Sequence, residues 1–323
     1  MSLADLPPLL RSEPGLTHAF GDPQALVAVP EAARAVSIAA LAQLSGRRPL
    51  LVATPTGSDA GQLYDDLVQF MPADQVVLFP AWETLPFERV SPSVETMGRR
   101  LEVLWRLRDP ERVPAIVVTG VRALLQKLGP DATTIDPIRL RPNDVLDPDE
   151  VLTRLVHMGY RREELVEHRG EVARRGAIID VYPSTAEAPI RIDLWGDEVD
   201  RLTEFTVNDQ RSVRDLDEVL IFPARELVPS DDVRARADAL IAEEPWGREH
   251  WERLAEGALF DGMESWLPWL VSPEQADLLI TDVLPPTAKV VLVEPRRMKD
   301  RADDLLAEGD DLARTLASTW ARD

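Results

Sequence analysis

The sequence contains no cysteine and only four histidines in 323 residues. Without thiols the chain has no disulfide, no cysteine-ligated zinc and no thiol nucleophile, which fits a reducing compartment. The histidines lie far apart, and none has the spacing to another that metal sites use. They are His18, His157, His168 and His250. We therefore predict that the chain binds no metal and no cofactor.

Long apolar runs are also missing. No run approaches the ~18 residues that a membrane-spanning helix needs. The N-terminus carries Asp5, Pro7 and Pro8 where a signal peptide would have a basic start and an apolar core. We predict a soluble, cytoplasmic protein.

Positive charge is scarce relative to negative charge. The chain has 57 acidic and 36 basic residues, which gives a formal net charge of −21. A field of this sign repels phosphate backbones, so it disfavours non-specific binding to nucleic acids. The hydrophobic content of 45% excludes a largely disordered chain, and the length favours two or three domains.

Residues 31–130 alternate short apolar runs with helical patterns. The runs are long enough for buried strands and too short for helices, so strands are expected at 49–54, 76–80 and 115–119. The first is followed by a glycine-containing turn and a helical pattern. This order predicts a parallel α/β sheet, with the proline-rich residues 1–30 as an N-terminal segment packing on it.

The pattern changes after Pro130. A helix is expected from Pro148 to Met158, and beyond it the residues to 223 alternate apolar and polar side chains with a period of two, broken at Gly176 and Gly196, which predicts antiparallel strands and hairpins. Strands are expected at 171–174, 177–182, 190–195 and 199–205. Residues 224–323 are dominated by helical patterns, with one more short strand. We therefore predict an α/β domain, a β-rich domain and an α-rich part.

Two segments resemble nucleotide-binding motifs. A working GxxxxGK[ST] loop uses its lysine to neutralise phosphate charge and its hydroxyl to hold magnesium. After the first predicted strand, Gly57 and Ser58 are instead followed by Asp59, whose carboxylate would repel a triphosphate. Glu294 ends the last apolar run, but Pro295 occupies the position of a second acid. We interpret both segments as structural and not as an ATP site.

Other catalytic signals are weak. No G-x-S-x-G nucleophile elbow occurs, and the acids are too numerous for a catalytic carboxylate pair to be singled out. Trp82 and Phe87 lie in a proline-bounded segment. They could stack on nucleic-acid bases, but in an acidic chain packing of this loop onto the core is the favoured interpretation.

The segment Gly159–Pro183 gathers arginine against the overall charge. It holds five arginines beside an alternating apolar run at residues 177–182; they are Arg161, Arg162, Arg169, Arg174 and Arg175. One interpretation is a solvated strand face whose arginines pair with nearby acids. The other is a protein-binding surface, because arginine beside apolar side chains is typical of interface hot spots. The residues alone leave these two alternatives even.

Three segments together resemble a known family. They are 79–104, 159–183 and 189–212, and they carry the ordered pattern RGxxxxRGxxxDxxP followed by RxxxxGDExxxxxxF. This pattern resembles the N-terminal part of the bacterial transcription-repair coupling factors (Mfd) and, more distantly, the excision-repair protein UvrB. The resemblance implies a degenerate, P-loop-like UvrB motor domain, an inserted β-rich α+β domain, and an α-rich part that returns to the first. Its boundaries are expected at residues 31–130, 131–223 and 224–323.

The resemblance also implies a role. In both families the inserted domain binds UvrA, and the family's interface residues fall on Arg161, Arg175, Arg174 and Ile179. Only residues 84–90 occupy the place where UvrB carries its damage-probing hairpin, which argues against damage verification. The expected function is therefore non-catalytic recruitment of UvrA, linking stalled RNA polymerase to excision repair. An ATP-dependent DNA motor or a damage-binding domain is the alternative.

Whole members of this family continue into an RNA-polymerase-binding domain and an ATP-dependent DNA translocase. The sequence contains neither, so we expect it to be part of a longer protein. The resemblance further implies an intramolecular contact between this module and the C-terminal domain of the whole protein.

Overall fold

The computed structural model describes residues 2–22, 24–85, 88–271 and 278–320. The chain divides into two compact units. The first contains the residues up to 81 together with 103–128 and 278–311, and the second contains 82–102, 129–277 and the residues from 312. Each unit is therefore assembled from separated stretches of sequence.

The helices follow in chain order. They are α1 (Pro14–Gly21), α2 (Arg34–Leu44), α3 (Gly57–Leu67), α4 (Val94–Leu107), α5 (Val121–Leu125), α6 (Pro148–His157), α7 (Asp231–Glu243), α8 (Arg248–Ala255), α9 (Leu267–Leu270) and α10 (Pro295–Leu316). Within the described residues, none of these helices is long and apolar enough to cross a membrane.

The strands are shorter. They are β1 (Leu50–Thr54), β2 (Val76–Phe79), β3 (Ile116–Gly120), β4 (Ile138–Leu140), β5 (Arg161–Arg162), β6 (Glu171–Arg175), β7 (Ile178–Val181), β8 (Ile190–Trp195), β9 (Glu198–Phe205), β10 (Ser212–Asp215), β11 (Val219–Ile221) and β12 (Lys289–Leu292).

The first unit is built on a parallel sheet in the order β12-β1-β3-β2. Every residue of β1 and of β3 is buried, which explains why these strands are continuous apolar runs without alternation. The last strand, β12, pairs with β1 although more than 230 residues separate them in sequence. The parallel α/β sheet and the returning strand predicted from the sequence are confirmed.

The second unit is built on a six-stranded sheet in the order β10-β9-β8-β7-β6-β5. Strands β6 to β10 pair antiparallel, and β5 adds to the edge in parallel. Two-residue turns join β6 to β7 and β8 to β9, and each begins with a glycine at positive φ, Gly176 at 63° and Gly196 at 69°. Glycine adopts this conformation without a steric penalty. The predicted β-rich region is confirmed.

One face of this sheet forms the core of the unit. Apolar side chains from β6 to β9 pack there with α6 and with the two-stranded sheet of β4 and β11. The α-rich region has its own core, in which tryptophans pack against one another both edge to face and stacked; they are Trp246, Trp251, Trp266, Trp269 and Trp320. The predicted α-rich part is therefore present, and its tryptophans serve packing.

Several elements differ from the sequence-based expectation. Strands β4, β5 and β11 have only two or three residues, too few to give a periodic signal, and all four residues of β10 are exposed. Helix α3 begins at Gly57, earlier than its apolar spacing indicates, because the Thr56 hydroxyl caps it by accepting from the amide of Asp59. Local capping chemistry here decides the start of the helix.

A buried ion pair joins two distant segments of the second unit. The guanidinium of Arg100 donates from Nε to Glu226 Oε2 at 2.8 Å and from Nη2 to Oε1 at 3.2 Å, and both side chains are fully buried. The indole of Trp82 also donates to Glu226, at 2.7 Å. Trp82 therefore packs and hydrogen-bonds within the unit, in agreement with the interpretation favoured from the sequence. Phe87 lies outside the described residues.

We predict that Glu226→Ala lowers the free energy of unfolding by about 3 kcal/mol or more, because it leaves a buried guanidinium without this carboxylate. Chemical denaturation measures the loss. The matched control is Glu218→Ala, which removes a carboxylate paired with Arg141 on the surface and should cost at most about 1 kcal/mol. Equal losses in both variants would contradict this assignment.

Candidate protein-interaction site

Strand alternation divides the predicted site residues between the two faces of the six-stranded sheet. Arg161 on β5 pairs with Glu171 on β6, and Arg175 follows Glu171 by four residues, so Arg161 and Arg175 lie on the same face. Arg191 on β8 also lies there, because Asp180 pairs with Arg191 on one side and Ala173 on the other. We call this surface the arginine face and define it by Arg161, Arg175 and Arg191.

The other two predicted residues lie on the opposite face. Arg174 pairs with Ile179 across β6 and β7. Its guanidinium donates to Asp149 of α6. The side chain of Ile179 is fully buried in the core of the unit. Ile179 thus supports β7 from beneath, and its side chain is not available to a partner in this conformation.

A buried carboxylate organises the arginine face. Asp180 is 1% exposed and accepts two hydrogen bonds from Arg191, at 2.7 and 2.9 Å, and one from Arg175 Nη2, at 2.6 Å. The hydrogen bond to Asp180 raises the pKa of Arg191. Two guanidinium groups therefore share this carboxylate, and the exposed member of the cluster is Arg175, whose side chain is 46% exposed.

A second carboxylate holds Arg161. Glu171 Oε2 accepts from the backbone amides of Glu167 and His168 at 2.9 and 2.8 Å, and its other oxygen accepts from Arg161 Nη2 at 3.2 Å. The carboxylate is therefore satisfied largely by the backbone. The side chain of Arg161 is 67% exposed, so most of its N–H donors face solvent.

The acidic side chains of the segment Gly159–Pro183 help to distinguish a solvated strand face from a protein-binding surface. Across the described part of the chain, Glu163, Glu164 and Glu167 form no ion pair, and Glu171 alone of these acids pairs with an arginine of the segment. Arg162 is exposed and likewise forms no ion pair with any described residue. The charged side chains of the segment are thus only partly paired with one another, and exposed charges of both signs remain available to a partner.

Arg169 has a different role. It is mostly buried and pairs with Glu95 at 3.2 Å and Glu187 at 3.0 Å, and its guanidinium lies 5.4 Å from the ring centre of Tyr182. These contacts tie the segment to α4 and to the loop after β7. Arg169 is therefore a packing residue within the second unit.

The loop that resembles a nucleotide site is occupied by ion pairs within the first unit. Arg297 on α10 lies 3.5 Å from a carboxylate oxygen of Asp59 and also pairs with Glu294. Glu294 also accepts a hydrogen bond from Arg34 at 2.8 Å, and the hydrogen bonds from Arg297 and Arg34 lower the pKa of Glu294. The two acids therefore have cationic partners from the chain itself. No metal-binding group of three or more acidic or histidine side chains occurs in the described portion.

Comparison with known proteins identifies the segment that carries the arginine face. Residues 138–227 match the family model of the UvrB interaction domain. This match spans β4 to β11 and includes all the predicted site residues of the arginine segment.

The predicted family resemblance is confirmed. The chain is 39% identical over 322 residues to the transcription-repair-coupling factor of Mycobacterium tuberculosis, an alignment covering 95% of this chain and 25% of that protein. It is 30% identical over 281 residues to the Escherichia coli transcription-repair-coupling factor, covering 82% and 23%, and 35% identical over 215 residues to that of Bacillus subtilis, covering 66% and 18%. The chain spans at most about a quarter of the length of these relatives.

The UvrB-interaction match begins and ends within a few residues of the predicted β-rich domain, 138–227 against 131–223. The finer division of the chain stays a prediction.

Sequence reasoning placed Asp180 and Arg191 in the family pattern but gave them no role. The alternation of side chains along β7 and β8 could have predicted which face each of these two residues occupies. Only the pairing register shows that Asp180 and Arg191 lie opposite each other.

We predict that Asp180→Ala lowers the free energy of unfolding by about 3 kcal/mol, since it leaves the mostly buried Arg191 without its carboxylate. The control is Asp149→Ala, which removes the exposed carboxylate of another arginine–aspartate pair and should cost at most about 1 kcal/mol. Urea denaturation followed by circular dichroism compares them. A small loss for Asp180→Ala would show that this carboxylate does not hold the face together.

Proposed function

We propose that this chain is a non-catalytic module that recruits UvrA through the arginine face, linking stalled transcription to nucleotide excision repair. The observation that carries the proposal is the position of Arg161 and Arg175, both exposed on one face of a segment that matches the UvrB interaction domain.

The chemistry of the face suits recognition of a carboxylate-bearing protein surface. Arg161 and Arg175 are each anchored through Nη2 to a carboxylate of the sheet. The remaining N–H groups of each guanidinium are free to donate to a partner. Anchoring reduces the side-chain entropy lost on binding, and a bidentate, charge-assisted pair is among the stronger polar contacts. Arg174 and Ile179 support this face from the other side of the sheet.

The absence of catalysis rests on the degenerate nucleotide loop. Gly57 and Ser58 are followed by Asp59 and Ala60, so the loop has no lysine to neutralise a triphosphate, and Arg297 pairs with both Asp59 and Glu294. A nucleotide would have to displace these ion pairs and then face two carboxylates. In the whole protein, we assign ATP-driven DNA translocation and RNA polymerase binding to regions outside this chain. We also propose that this module contacts the C-terminal domain of the whole protein.

We expect a variant combining Arg161→Ala with Arg175→Glu to bind UvrA at least about 100-fold more weakly than the unchanged chain, because each arginine is expected to contribute ~2 kcal/mol. Isothermal titration calorimetry with purified UvrA measures the affinities. The matched control is Arg248→Glu, a charge reversal at an exposed arginine of α8 whose ion-pair partner among the described residues is Glu252, and this variant should bind UvrA normally. Unchanged binding by the double variant would refute the site assignment.

We expect no ATP hydrolysis above background when the chain is incubated with ATP and magnesium, because Asp59 repels the triphosphate. A coupled phosphate-release assay measures the rate. Hydrolysis that falls in the Thr56→Ala variant would contradict the proposal, since it would place activity in this loop. Hydrolysis that Thr56→Ala leaves unchanged would indicate a contaminating enzyme.

A further inference from the structure

An exposed tryptophan lies at the end of β8. Trp195 is 83% exposed, whereas Trp251 and Trp266 are almost completely buried in the α-rich core. A tryptophan buries 150–250 Å² when it is packed. Leaving this area in water gives up a large stabilising contribution, so the position of Trp195 calls for a function other than folding.

Trp195 lies on the arginine face. It follows Arg191 and Asp193 at alternate positions of β8, so the three side chains point to the same side of the sheet. Arg175 pairs with Ile178, and Ile178 pairs with Asp193. Trp195 is therefore two strands and two residues away from Arg175, about 12 Å by the standard strand spacings.

A second exposed apolar side chain lies on the far side of Glu198 from Trp195. Glu198 pairs with Trp195 across the β8–β9 turn and with Val145 on its other side, and Val145 is 72% exposed. Cross-strand partners share a face, so Trp195 and Val145 flank Glu198 on the same side of the sheet. We call these two side chains the tryptophan edge. It extends the arginine face with apolar area.

The charge around the tryptophan edge is negative. Asp197, Glu198 and Asp200 are exposed, and none of them forms an ion pair with another described residue. This local charge disfavours stacking of Trp195 on nucleic-acid bases, because the phosphates would be repelled. It also disfavours a second copy of this chain, whose net charge is −21. The face is thus basic at Arg161 and Arg175 and acidic at its tryptophan end.

We propose that Trp195 is the apolar anchor of the same protein interface, inserting into a shallow aliphatic pocket of UvrA whose rim carries basic side chains. This inference rests on the proposed function, since the arginine face and the tryptophan edge are continuous. Tryptophan and arginine are the residue types that dominate binding energy at interfaces. The opposite charges at the two ends allow the partner to dock in one orientation only.

The test uses Trp195→Ala in a calorimetric titration with UvrA. We expect binding at least about tenfold weaker, with Trp195→Phe retaining most of the affinity and with an unchanged unfolding midpoint, because the side chain is exposed. The matched control, Leu306→Ala, removes an exposed apolar side chain from α10 in the first unit and should bind normally. Higher salt should weaken the binding of all variants but leave the ratio between Trp195→Ala and the unchanged chain the same.

The outcomes separate the two proposals. If the Arg161→Ala, Arg175→Glu variant loses UvrA binding while Trp195→Ala binds normally, the anchor proposal is overturned and the proposed function stands. If neither variant loses binding, both are overturned. Light scattering that shows a dimer dispersed by Trp195→Ala, with unchanged affinity for UvrA, would assign the tryptophan edge to self-association and would also overturn the anchor.

Discussion

The buried carboxylate of Asp180 is the constraint on which the arginine face depends. It lies on the central strand β7 and is shared by Arg191 from β8 and Arg175 from β6. A lone buried carboxylate would be strongly destabilising, and a pair with one arginine would leave no excess charge. Sharing it between two arginines gives a stable sheet and an exposed cation at the same time.

This arrangement places exposed positive charge on a protein whose net charge is strongly negative. Globally the protein is acidic, yet the exposed guanidinium groups of Arg161 and Arg175 lie together on one sheet face, each held by one nitrogen. An acidic protein with a small basic face is poorly suited to phosphate backbones and well suited to a protein partner that presents carboxylates. In the first unit, Arg297 likewise pairs with two carboxylates of the chain, those of Asp59 and Glu294.

Much of the fold was predictable because its signals are local. The buried runs of β1 and β3, the period-two alternation of β6 to β9 and the glycines of the two tight turns are each contained in a few consecutive residues. Short strands gave no such signal: β5 has only two residues, and β11 is defined by pairing with β4, about 80 residues earlier in the sequence.

The sequence by itself determined the class of fold, the family resemblance and the segment that carries the arginines. Only the tertiary structure decided which side chains face outward. Strand register places Arg175 on the exposed face and Arg174 on the other, and it buries Ile179 in the core. A shift of one residue in pairing would exchange these faces, and register depends on long-range packing. For the same reason, the exposure of Trp195 beside the arginines became visible only in the folded sheet.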